Sequence, residues 1–446
     1  MLRAASEAGS NAEASKTAAA ISALSATIQS ELSRIKALEE RLDSMRKSGN
    51  ESEEIAELRM EVRSERSRIE TMEASLNELA ELATPVAGIA TPVAEIATPS
   101  AVSAPSPHQA AAEPTLPTVT VGAGIRSSFQ HTEPQAGSGL NEFQLGDARI
   151  YLSGDITKNV SAMFNTEYDS VTNKVGILDA VGEFHSSPKF NLWFGRFLPP
   201  SDRANLYGPF YAHDWAVYTD GIQDGYPFVF QGRDNGVAYW GDFKAGIAKI
   251  KVSVGSFDGR TATGNSDVLG AARVQIDFWD PEDGYYLNGT YYGDKNLLAI
   301  GGATQWQSGN TATTVDFLLE RKLPNDKGVV SVEGEYSNYN RLGGYDPNYA
   351  KSQGEYGLVS YLIPKQIGIG RFEILGKFAK AEFTHGLGFS HANYRQNTAE
   401  VNLSYIIKQF DARVVSFYRD ASYNNFIKDS WEAGVGLQVQ LSKEIH

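Results

Sequence analysis

Seven histidines and no cysteine limit what this 446-residue chain could do as a catalyst. Without a thiol there is no thiolate nucleophile, no thiolate metal site and no disulfide. His213-Asp214 is the one place where a histidine adjoins a carboxylate, and adjacency in sequence is not a catalytic arrangement. His385 and His391 stand six residues apart with no third ligand in reach, too little for a metal site. Asp280-Pro281-Glu282-Asp283-Gly284 has the acidity of a calcium loop, but proline and glycine among acids are ordinary turn chemistry. Gly122-Ala123-Gly124 sits in an extended run with no helix after it, so it is no phosphate cradle. The chain is read as having no catalytic residue, no metal and no cofactor.

The remaining charged side chains recur at a period of two. Arg149, Lys249, Lys251, Arg273, Arg371, Lys377, Arg413 and Arg419 are interleaved with Glu167, Asp277, Asp316, Glu333, Glu335, Glu373, Glu400 and Glu432. They occupy polar positions of segments whose alternate residues are apolar. In the last such segment Trp431, Ala433, Val435, Leu437, Val439 and Leu441 alternate with Glu432, Gly434, Gly436, Gln438 and Gln440. A strand turns successive side chains to opposite faces, so one face is apolar and the other polar or glycine. These segments run to roughly 10–13 residues, the length of a tilted strand crossing a bilayer, where soluble strands average about 5–6. Charge in mid-strand on one face suits a water-filled lumen. The sequence therefore predicts an all-β transmembrane barrel of about 16 antiparallel strands, with the lipid bilayer as its first partner.

The strands are expected at 118–130, 141–154, 160–170, 175–186, 190–198, 234–243, 247–258, 267–280, 297–307, 312–323, 329–339, 354–363, 370–384, 393–407, 410–421 and 429–441. A further candidate, Tyr285–Tyr292, would make seventeen. Both ends of the barrel should lie on one side of the membrane, which demands an even count, so 281–296 is read as an excursion, with fourteen or eighteen strands as alternatives. The longest strand-free stretch, 199–233, carries Tyr207, Phe210, Tyr211, Trp215 and Tyr218, which need burial. Folding inward would bury them and narrow the bore; an external cap is the alternative. Asp202, Arg203, Asp214, Asp220, Asp224 and Arg233 would then be the constriction charges, an excess of two acids.

Ahead of the barrel the pattern changes twice. Ile21, Ile28, Ile35 and Leu42 repeat every seventh residue, and Ile55, Val62, Ile69 and Leu76 restart the repeat after Ser48-Gly49-Asn50. Residues 1–83 are accordingly read as an α-helical arm forming either a segmented coiled coil or a hairpin turning at Gly49. Residues 84–117 place proline at Pro85, Pro92 and Pro99 and have no apolar face, so they read as an extended Pro/Ala-rich linker. The barrel domain is 118–446. Met1–Ala20 lacks the apolar stretch of a signal peptide, so a leader is expected to have been removed. Net charge is −14, shared equally between 1–117 and 118–446 with no basic block, which argues against a nucleic-acid partner.

From residue 118 onward the chain resembles the phosphate-selective porin O/P family. The resemblance rests on RIYLSG (149–154), WFGRFLPP (193–200), DPEDGYY (280–286), YYGDKN (291–296) before LLAIG, and Asp316 with ERKL (320–323). It implies a sixteen-stranded outer-membrane homotrimer with an inward loop, and in some related channels a periplasmic coiled coil before the barrel. Two features depart from the family pattern. The last strand is read to end at Leu441 with Ser442–His446 following, rather than on a terminal aromatic residue. The wall also mixes acids with bases, where an anion filter wants bases alone. Phosphate specificity is therefore not carried over, and Arg149, Lys249, Lys251, Arg273, Asp277, Arg371, Lys377, Arg413 and Arg419 are expected to line a general diffusion pore. The competing expectation is a structural anchor, with residues 1–117 reaching peptidoglycan in the periplasm.

Overall fold

The computed structural model describes residues 119–445 except 135–138, 170–173, 217–220, 223–231, 260–266, 344–348, 387–392 and 425–427, together with Lys36. The heptad arm and the proline-rich linker otherwise lie outside the described residues, as do Tyr218, Asp220, Asp224 and His391. The barrel belongs to one compact unit, Ala111–His446.

Sixteen strands close into a single antiparallel barrel in which each strand pairs with its neighbours in sequence and the first pairs with the last. They are β1 (Val119–Glu133), β2 (Leu140–Thr157), β3 (Val160–Asp169), β4 (Lys174–Ser187), β5 (Phe190–Phe197), β6 (Asp234–Ala245), β7 (Ala248–Phe257) and β8 (Leu269–Asp277). The second half comprises β9 (Leu297–Gln307), β10 (Asn310–Lys322), β11 (Val329–Asn340), β12 (Tyr349–Leu362), β13 (Arg371–Gly386), β14 (Tyr394–Lys408), β15 (Ala412–Tyr423) and β16 (Ser430–Ile445). Closure leaves no unpaired edge, the condition for a sheet to sit in lipid. β16 continues past Leu441, and the closing register runs from Val119↔Ile445 to Glu133↔Trp431. Ser442–Ile445 are thus part of the closing seam and not a tail.

The alternation read from sequence is the inside–outside alternation of the wall. On β16, Val435 and Leu441 are 50% and 65% exposed on the outer face, whereas Gln438 is fully buried inside. On β14, Val401 and Leu403 face out, and Glu400, Asn402 and Ser404 are buried inside. Aromatic side chains mark both ends of the outer band, as in membrane barrels. At the end holding the barrel termini, the Tyr239, Tyr361 and Tyr405 hydroxyls donate to turn carbonyls of Lys189, Lys327 and Ile367 at 2.6–2.7 Å. At the opposite end Phe129 packs on Phe143, and Tyr418 on Trp431.

Two connections stand out against the pattern of short turns at one end and longer loops at the other. β9 and β10 are joined by the tight turn Ser308-Gly309 at the loop end. At the terminal end β8 and β9 are separated by 278–296, which contributes no strand. The inner face also differs from a uniformly polar wall. Between β4 and β8 it carries Val181, Trp193, Ala238, Trp240, Phe257, Leu269 and Ala271, which pack with Leu206, Tyr285 and Leu287 into an apolar cluster inside the barrel.

A lumen filled from both ends

Of the connection from β5 to β6, the described residues 198–216 and 221–222 fold inward from the loop end, and a short helix, α1 (Arg203–Tyr211), forms within them. Its start is fixed by Asp202, whose carboxylate accepts the Asn205 backbone N–H at 2.8 Å. Gly208, at φ 61° and ψ −179°, breaks the helical path before Pro209 and turns the chain along the wall. The wall receives this segment strand by strand. On β8 the Arg273 guanidinium donates to the Ser201 carbonyl at 3.2 Å, and on β9 the Gln305 amide donates to that of Pro200 at 3.3 Å. The backbone N–H groups of Arg203 and Ala204 donate to Asp316 on β10 and Glu335 on β11, both at 3.3 Å. The Tyr207 hydroxyl and Tyr356 of β12 both donate to Glu333, at 2.9 and 2.6 Å.

Further along, His213 Nε2 lies 2.9 Å from Glu373, and Lys377 pairs with Asp214 at 2.8 Å, both partners being on β13. On β14, Asn402 and Glu400 accept the backbone N–H groups of Trp215 and Ala216 at 2.9 and 3.2 Å. Arg413 of β15 donates to the His213 carbonyl, Gln438 of β16 to that of Phe210, and Arg126 of β1 to that of Trp215. The segment is therefore held by every strand from β8 round to β1. Small residues on the wall make room for its rings: a Cβ on Gly436 would lie 2.2 Å from the Trp215 ring, and one on Gly124 2.7 Å from Phe210.

The second segment, 278–296, enters from the terminal end and meets the first in mid-barrel. Leu287 N–H donates to the Leu206 carbonyl at 3.2 Å and Gly289 N–H to that of Tyr211 at 2.9 Å. The Tyr285 hydroxyl donates to the Leu198 carbonyl at 2.8 Å, and its ring packs on Trp193. Arg203 and Glu282, both fully buried, form a two-armed ion pair at this junction. Burial alone would lower the Arg203 pKa and raise that of Glu282, but each opposite charge overrules it, leaving both ionised.

The charged residues expected at the constriction and along the bore divide by location. Asp202, Arg203 and Asp214 are buried between the inward segment and the wall. Burial pushes the Asp202 carboxyl up. At Asp214 burial pushes the same way, but Lys377 overrules it and holds the carboxyl below its usual range. Arg273, Lys377 and Arg413 lie beneath the same segment. Lys251 donates to the Gly284 carbonyl at 2.5 Å, Lys249 pairs with Asp242 and Asp283, and Asp277 accepts the Glu282 N–H at 2.9 Å; these three hold the second segment. Arg419 pairs with Glu432 on the neighbouring strand at 2.9 Å, and Arg371 is half-buried near the terminal end. Arg149 pairs with Glu167, and Arg233 faces Asp179 at 3.4 Å.

These last pairs border a cavity of about 450 Å³ between the inward segments and β1–β4, lined among others by Tyr151, Ser153, Asn165, Tyr211 and Asn288. Asp179 was not singled out from the sequence, and Glu282 only as part of an acidic turn. Asp179 adjoins a β-bulge, where the register jumps from Asn165↔Asp179 to Thr166↔Ile177. The extra residue shifts the alternation by one, and the adjacent apolar pair Ile177-Leu178 is its trace in the sequence. Glu282 had the look of a turn residue, and only its partner across the lumen gives it another role.

The fold and its interior define a closed sixteen-stranded antiparallel barrel whose lumen is narrowed by segments from both ends. No family model matches this chain, and no curated protein does. Among solved structures it is similar to an anion-selective porin from Comamonas acidovorans, with 13% identity over 73% of this chain and 100% of that one, at a TM-score of 0.48. It is also similar to OprB of Pseudomonas putida at high pH, with 8% identity over 73% of this chain and 94% of that one, at 0.49. A third is OmpF of Salmonella typhi in complex with daunomycin, with 11% identity over 72% and 97%, at 0.46. At these identities none of them carries a function over to this chain.

Proposed function

We propose that this chain is an outer-membrane diffusion channel for small hydrophilic solutes, with the barrel termini and residues 1–117 on the periplasmic side. The observation that carries the reading is the placement of the inward segment. It adheres to β8 through β16 and β1, and leaves the cavity against β1–β4 as the space for a solute. The outer apolar band with aromatic residues at both ends supports a membrane setting. The resemblance to the phosphate-selective porin O/P family and a homotrimeric assembly belong to the same proposal, without the phosphate specificity. Arg149, Asp179 and Arg233 border the path, while Asp202, Arg203, Asp214, Arg273, Lys377 and Arg413 set its width by holding the segment. Discrete conductance steps in a planar bilayer are the expected result.

A second reading, a structural anchor joined to the cell wall through residues 1–117, is favoured by one observation. The two inward segments hydrogen-bond to each other in mid-barrel, and the apolar cluster fills the β4–β8 side. Inserted protein that passes neither ions nor small sugars in liposome swelling would decide for the anchor. Pull-down of isolated peptidoglycan by the full chain tests the cell-wall contact separately.

A further inference from the structure

The charges of this barrel are placed where a passing solute does not meet them alone. Most clamp the inward segments, and those at the cavity are matched inside the wall. Arg149 is paired with Glu167, and Arg233 faces Asp179. Asp179 also accepts the Tyr286 hydroxyl at 3.0 Å and the Asn165 amide at 2.9 Å, so its carboxylate is held by three neighbours. An ion filter needs uncompensated charge of one sign; among the described residues each guanidinium lining the cavity has a carboxylate partner, Glu167 for Arg149 and Asp179 for Arg233. The cavity offers hydroxyls, amides and tyrosine rings instead. Ser153 is exposed, Asn288 is half-exposed, and Tyr211 is 37% exposed although it lies within the barrel. Cavities of roughly 300–1,000 Å³ hold small molecules, and this one falls in that range.

We infer that the cavity between β1–β4 and α1 is a binding subsite for neutral polyhydroxylated solutes, that is, mono- or oligosaccharides. A sugar presents an apolar C–H face and a rim of hydroxyls. The Tyr211 ring suits the face, and Asn288, Ser153 and the matched Arg–carboxylate pairs suit the rim, because they can donate and accept without a net charge to neutralise. The balance of polarity thus sets the ligand class. This inference rests on the channel reading for its role in transport, but not for the binding itself.

The test uses the full chain in planar bilayers, with maltose as the probe and inorganic phosphate as the charged comparison. Maltose is expected to reduce the current in a saturable way, and phosphate at equal concentration is not. Tyr211→Ala should raise the half-blocking concentration of maltose by about tenfold, whereas Tyr211→Phe, which keeps the ring, should leave it within about twofold. Block by phosphate but not maltose, block by neither, or maltose block indifferent to Tyr211→Ala would each overturn the inference. If the protein conducts nothing, the channel reading fails by itself. Calorimetric titration of the detergent-purified chain with maltose then decides, since saturable heat lost in Tyr211→Ala upholds the subsite and no heat overturns it.

Discussion

His213 shows how one residue here can report on the position of a whole segment. It is buried on the inward segment with Nε2 2.9 Å from Glu373, and Glu320, Glu333, the Tyr292 ring and Arg413 lie around it. Burial would lower its pKa, but Glu373 overrules this and raises it above the ordinary value. A raised folded-state pKa gives stabilisation that is complete below the unfolded value, about 6.5, and lost as pH rises through the folded one. The inward segment should therefore loosen on the alkaline side. Limited proteolysis across about pH 5.5–9 should show cleavage in 198–222 rising with pH, and His213→Gln should flatten that profile. On the outer face, Val435→Arg should impair assembly by about 2–4 kcal/mol, while Ser153→Arg, on the inner face beside the cavity, should be tolerated. Comparable losses of heat-resistant barrel on gels from both variants would contradict the facing assignment. Gly434 also faces inward, but an added Cβ would lie 2.7 Å from the Phe129 carbonyl, so arginine there would fail for steric reasons.

At the scale of elements, the junction between the two inward segments decides how wide the lumen is. Arg203 and Glu282 are both fully buried, and they come from opposite ends of the barrel. Removing one charge of such a pair leaves the other desolvated, at a cost of about 3–5 kcal/mol. Glu282→Gln should therefore lower the midpoint of thermal unfolding and increase single-channel conductance, as 278–296 swings away from α1. Replacing the pair together, Arg203→Met with Glu282→Leu, should recover much of the stability, because no unpaired charge remains. A Glu282→Gln channel with unchanged midpoint and conductance would show that the backbone bonds at Leu287 and Gly289 hold the junction unaided.

For the whole molecule, the sharp change in composition between 84 and 117 predicts that the barrel works without what precedes it. Deleting residues 1–117 should leave single-channel conductance nearly unchanged and abolish any pull-down of peptidoglycan. Loss of ion flow in that truncation would make the arm part of the pore.

Architecture was legible in the sequence because a barrel wall writes itself locally. A strand between lipid and water must alternate, so the residues of β14 and β16 declared both their structure and their facing. All sixteen strands fall where the alternation put them, and 281–296 is no strand, as the even count required. That the connection after β5 turns inward followed from its aromatic residues, but the partners of the inner wall were not legible, because those side chains see only what folding brings to them. Lys377 and Arg413 read as pore-lining bases, yet they bind Asp214 and the His213 carbonyl, residues 163 and 200 positions away. Trp193 and Trp240 sit on the inner face because segments from both ends arrive to cover them. Asp179 escaped notice because a single bulge shifts the register beside it. Period-two alternation is a property of the strand itself, whereas the partner of an inward side chain is chosen by loops distant in sequence, and only the closed barrel brings the two together.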